Sequence, residues 1–89
     1  MTNDELCFLT ATKMADLIRT GELSAREVMD VHIAHIDRVN PKVNAIVTLL
    51  PDLAMNSARE ADEKQARGET LGPLHGLPVA IKDIIATYD

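Results

Sequence analysis

Lys82 is the residue of this sequence best placed to do chemistry, because of what precedes it. The run Gly72-Pro73-Leu74-His75-Gly76-Leu77-Pro78-Val79-Ala80-Ile81-Lys82-Asp83 reads as a stiff, turned loop feeding a short apolar strand that ends on the lysine. Gly72 and Gly76 can take backbone angles closed to other residues, while Pro73 and Pro78 fix their own φ and push Gly72 and Leu77 towards extended geometry. Such a loop has few conformations to lose. Pro78 lacks a ladder donor and suits the first position of a strand, and Val79-Ala80-Ile81 is consistent with a strand buried on both faces. A lysine at the end of that strand has two readings. It marks the return of the chain to water, or it is an amine held in apolar surroundings, where desolvation disfavours the ammonium and leaves a neutral amine to act as a base. Asp83 would oppose the second reading as a partner of Lys82, but adjacent strand residues point to opposite faces. Asp83 reads instead as a structural hydrogen-bond acceptor.

Other groups carry less. His32 and His35 stand three apart with Asp30 and Asp37 nearby, half of a metal site at most, and the sequence places no third ligand. His75 is read as fixing the turn through a backbone hydrogen bond rather than as a base. The glycines of the loop are too sparse, and precede a strand rather than a helix, to cradle a phosphate. Cys7, with no second thiol, reads as a small apolar residue near a mobile terminus. No Ser/His/Asp arrangement can be argued.

The elements that must position the loop are three helices and a second strand. A first helix is expected from Thr10 or Thr12 to about Thr20, with Met14, Leu17 and Ile18 on one face and Gly21 as its stop. The second opens on Ser24-Ala25-Arg26-Glu27, a capping box. Its apolar positions are Ala25, Val28, Met29, Ile33 or His32, Ile36 and Val39, and Asn40-Pro41 should end it. Val43 to Thr48 mixes β-branched residues with near alternation and reads as a strand between Pro41 and Pro51. A third helix fits Asp52 or Leu53 to about Arg67, with Asp52 as its cap and Gly68 as its stop. Ala54, Ala58, Ala61 and Gln65 give it a small-residue face. This order suggests a right-handed strand-helix-strand crossover with two nearly parallel strands, a marginal sheet by itself.

Composition agrees with a piece of a larger domain. At 89 residues a chain buries about two-thirds or less of the surface its unfolded form exposes. Phe8 and Tyr88 are its only aromatics, so burial rests on aliphatic residues and alanine. The formal charge of −5, from 14 acidic against 9 basic residues with no basic cluster, argues against nucleic acid or an anionic membrane as the partner. The first five residues are acidic where a secretory signal would be basic, and the apolar run from Ala45 to Leu50 is far too short to span a bilayer. A cytoplasmic location is the default.

The loop sequence Gly-Pro-Leu-His-Gly-Leu-Pro-Val-Ala-Ile-Lys-Asp closely resembles the segment of the amidase signature family that carries its catalytic lysine. Leu9-Thr10-Ala11 through Gly21-Glu22-Leu23-Ser24, then Ile36 to Pro41 and Val43 to Val47, also resemble that family's N-terminal region in the usual order. The resemblance implies an α/β fold, with residues 1–89 an incomplete N-terminal part of a single amidase domain: about three helices and two strands of a larger mixed sheet. It implies an amide hydrolase acting on a small-molecule carboxamide by Ser-cisSer-Lys catalysis, with Lys82 as the lysine and both serines beyond Asp89. No metal or organic cofactor is implied. The isolated chain is then expected to be inactive and prone to self-association through unpaired sheet edges. The competing readings are a non-catalytic interaction module and a truncated frame that retains the amidase scaffold.

Overall fold

The computed structural model describes residues 2–46 and 48–80. Four helices follow in order: α1 (Asn3–Cys7), α2 (Ala11–Arg19), α3 (Ala25–Val43) and α4 (Pro51–Ala66). Each of the first three starts on a hydroxyl cap. Thr2 accepts from the Glu5 amide at 3.1 Å, Thr10 from the Lys13 amide at 3.2 Å and Ser24 from the Glu27 amide at 3.0 Å. The expected capping box on α3 is complete, because the Glu27 carboxylate accepts from the Ser24 amide at 3.0 Å. α4 starts differently: Pro51 occupies its first turn after Leu50, and Asp52 lies within that turn rather than capping it.

Helix packing makes the core. α2 buries Met14, Leu17 and Ile18, as its spacing predicts; Met14 and Ile18 form one cluster with Leu6 of α1 and Val28 of α3, and Leu9, Leu23, Val31 and Leu77 pack around it. Ile18 and Val28 are the largest fully buried side chains; each contributes about 1.5–3 kcal/mol relative to exposure. On α4 Ala58 is buried, with Ala54, Ala61 and Gln65 half-buried along the same face. That face lets α4 approach closely, and α3 is its main neighbour. Beyond Val28, α3 is less covered than its apolar spacing suggests: Ile33, Ile36 and Val39 are only half-buried.

The α/β arrangement expected from the sequence is corrected by the structure, which has no strand among the described residues. Where the first strand was expected, Val43 is instead the last residue of α3. The helix runs past Asn40 because Pro41 sits in its final turn, where it forfeits a single hydrogen bond, and the chain stops at Asn44 in the left-handed region (φ 50°). Asn40 then does what a neighbouring strand would do. Its side-chain amide donates to the Ile46 carbonyl and its oxygen accepts from the Ile46 amide, both at 2.9 Å, so neither backbone group of Ile46 is left for a ladder. In the second expected strand Val79 is 83% exposed and Ala80 is exposed too, the opposite of burial on both faces. β-Branched residues favour a strand only where a neighbour supplies pairing and cover. With no strands described, the strand-helix-strand crossover is withdrawn as well. α1 was not anticipated at all.

Candidate active-site segment

The loop that leads to the lysine is built from two successive turns. The His75 amide donates to the Gly72 carbonyl and the Leu77 amide to the Leu74 carbonyl, both at 3.2 Å. Gly76 carries the positive φ (80°) that joins them, whereas Gly72 has no left-handed angle. Leu77 tucks against the core cluster, Leu74 faces solvent, and the chain leaves the surface at Val79 and Ala80. Ile81, Lys82 and Asp83 lie outside the described residues, so the role of the lysine remains an expectation. His75 departs from its expected role: the backbone closes the turn, and among the described residues the buried imidazole Nε2 has no hydrogen-bond partner. A cleft beside the loop is lined by Ala15 and Arg19 of α2 and by Leu71, Gly72, Pro73 and His75. Its cation is already engaged, since Arg19 pairs with Asp16 one turn earlier.

Beneath the loop, α4 ties α2 and α3 together through two polar side chains that sequence reading did not assign to this task. Asp62 accepts from the Ala25 amide at 2.7 Å, from the Arg26 amide at 3.1 Å and from the Arg26 Nε at 2.9 Å. The free amides at the start of α3 are therefore shared between the Ser24 cap and a carboxylate from another helix, whose charge also suits that helix end. Gln65 donates through Nε2 to the Ile18 carbonyl at 2.7 Å, at the C-terminal end of α2. Neither contact has a local sequence signature, because each partner lies more than 35 positions away.

The remaining candidates are occupied elsewhere. His32 Nδ1 donates to the Val28 carbonyl at 2.8 Å, whereas His35 Nδ1 accepts from Arg38 at 2.9 Å and its ring meets Phe8 edge-on at 5.6 Å. Among the described residues no group of three or more His, Cys, Asp and Glu side chains is gathered to hold a metal. Arg38 also reaches Asp4 at 3.0 Å, fastening α1 to α3. Cys7 is half-buried in α1, and its thiol donates to the Val31 carbonyl at 3.6 Å. Burial pushes the Cys7 thiol above its ordinary pKa and the Asp4 charge adds to this, while Arg38 opposes it. Ser24 is committed to its cap and Ser57 is exposed on α4. None of the described helices is long and apolar enough to cross a membrane.

The sequence of these helices and of the glycine-proline loop finds clear relatives among known proteins. The model of the Amidase family matches residues 27–89, a span that takes in α3 from Glu27 onward, α4, the loop and Lys82. The chain belongs to the amidase family. It is 45% identical over 86 residues to a glutamyl-tRNA(Gln) amidotransferase subunit of Streptomyces avermitilis, covering 97% of this chain and 17% of that protein. Against an acylamidase of Rhodococcus erythropolis it is 42% identical over 86 residues, 97% of this chain and 18% of the relative. Against a putative amidase of Mycobacterium bovis it is 37% identical over 89 residues, all of this chain and 19% of the relative. The chain thus spans less than a fifth of the length of these relatives. No solved structure matches it significantly.

Proposed function

We propose that residues 1–89 are the N-terminal part of a single amidase domain that hydrolyses a small-molecule carboxamide, and that Lys82 is its proton-transfer base. The observation that carries this reading is the family match over residues 27–89, which includes Lys82 and the loop leading to it. A serine beyond Asp89 attacks the carboxamide carbonyl and forms an acyl-enzyme, which water or another amine resolves. Lys82, neutral in the resting enzyme, takes the nucleophile's proton through an intervening cis-serine and returns it to the leaving amine. Backbone amides from the later segment stabilise the oxyanion. The positions of Ser24 and Ser57 support a nucleophile from elsewhere, since one caps α3 and the other stands on exposed α4.

Groups that transfer a proton as a unit are strongly non-additive, so losing one costs about as much as losing several. The test is amide hydrolysis, with simple aliphatic and aryl amides, by the 89-residue chain and by a full-length amidase containing it. The expected result is no turnover by the short chain and turnover by the long one that is lost in Lys82→Ala. Hydrolysis by the short chain, or an active Lys82→Ala enzyme, would overturn the proposal.

A further inference from the structure

Of the four glycines, only Gly76 has neighbouring atoms within 4 Å of where a Cβ would stand. A methyl group at its Cα would stand 3.1 and 3.2 Å from Cγ2 and Cδ1 of Ile18 and 3.3 Å from Cβ of Ala25. Carbon atoms pack best at about 3.5–4.0 Å, so the loop backbone rests on these two side chains with no room for a Cβ. Its φ of 80° independently requires glycine. The two residues underneath cannot give way easily. Ile18 is 1% exposed and Ala25 fully buried; the Ile18 carbonyl is held by Gln65 and the Ala25 amide by Asp62.

From this seat we infer that Gly76 is a positioning residue for the reaction: its contact with Ile18 and Ala25, locked from below by Asp62 and Gln65, sets where the chain departs towards Lys82. The inference rests on the proposed role of that lysine. The first steps away from the seat are restrained: Leu77 is packed against the core cluster and Pro78 has a fixed φ, so a shift of the turn is carried at least as far as Pro78, four positions before Lys82 in the sequence. A Cβ at position 76 lifts the turn by some tenths of an ångström. Misplacement of a catalytic group by about 1 Å can cost on the order of a hundredfold in rate.

The experiment uses a full-length amidase containing this segment, with Gly76→Ala compared against Gly68→Ala. Gly68 has the same kind of backbone angle (φ 75°) but no atom within 4 Å of its would-be methyl, so its substitution brings backbone strain without displacing the loop. Gly76→Ala should lower kcat about tenfold or more with KM within about twofold, and should move the midpoint of the pH–rate profile. Gly68→Ala should lose thermal stability and keep both kcat and the midpoint. Should Gly76→Ala not accumulate folded, Ile18→Leu conserves volume but reshapes the seat from the other side, and the same fall in kcat at unchanged KM is expected. Wild-type kcat and midpoint in the folded variant, or an equal kcat loss in Gly68→Ala, would overturn the assignment. A Lys82→Arg enzyme separates the two ideas. If it stays active the lysine's role falls, and if it is inactive while Gly76→Ala behaves as wild type, only the positioning role falls.

Discussion

Replacing Asp62 with alanine should be the most damaging single change at the start of α3. The carboxylate accepts from two backbone amides and one guanidinium nitrogen, and its side chain is only 12% exposed. The guanidinium contact contributes little, because Arg26 is 56% exposed and such pairs give about 0.2–1 kcal/mol. The amide contacts matter more. Hydrogen bonds to a charged group contribute about 1.5–3 kcal/mol, and a carboxylate at a helix N-terminus adds about 0.3–1 kcal/mol. These effects overlap, so about 2–4 kcal/mol is the expected loss for Asp62→Ala, against about 1 kcal/mol for Ser24→Ala. Amide hydrogen exchange can resolve the two residue by residue. Asp62→Ala should speed exchange at Ala25 and Arg26 by about thirtyfold or more, since about 1.4 kcal/mol is tenfold, with a smaller change at Glu27, whose amide Ser24 holds. Ser24→Ala should reverse that order. Equal protection of Ala25 and Arg26 in Asp62→Ala and wild type would refute the reasoning, as would a loss of stability smaller than that of Ser24→Ala.

Ile18→Ala should destabilise by about 2–5 kcal/mol, the cost of a cavity at a fully buried site; urea unfolding that changes by less than about 1 kcal/mol would contradict the packing described. Cys7 should be alkylated by iodoacetamide more slowly in the folded chain than in urea at mildly alkaline pH, and its rate should rise at higher pH, because a raised thiol pKa leaves less thiolate. Equal rates in the two states would contradict that direction. The isolated chain should self-associate or melt broadly, since Phe8, Val43, Leu50, Leu53, Leu74 and Val79 stay exposed over a small core. A monomer in sedimentation with a sharp cooperative melt would be the opposite outcome.

What the sequence revealed depended on how far apart the interacting residues stand. The capping box at Ser24 and Glu27, the apolar stripe of α2 and the stop at Gly68 are local, and all are found. α1 was overlooked because five residues carry almost no periodicity; the Thr2 cap before acidic Asp4 and Glu5 was the available signal. The strands failed for the converse reason. Val43 to Thr48 has strand composition, but pairing is a property of neighbours, and Asn40 takes up the Ile46 backbone instead. The loop's turns were legible in its glycines and prolines, whereas the seat under Gly76 required Ile18 and Ala25 to be brought there by helix packing. Asp62 and Gln65 act across the fold, so no spacing rule could have found them.

The central claim is that Lys82 works as a neutral amine. Arginine preserves the charge and nearly the reach of lysine but stays protonated at any working pH, so it cannot accept a proton. The decisive measurement is the pH–rate profile of a full-length amidase containing this segment, with Lys82 and with Lys82→Arg. The account predicts a wild-type rate that rises with pH as the lysine loses its proton, at a midpoint below the ordinary lysine range, as a base that is neutral in the resting enzyme requires. It predicts almost no turnover for Lys82→Arg across the whole range. An arginine enzyme that keeps a substantial share of the wild-type rate would make Lys82 a structural cation and contradict the account.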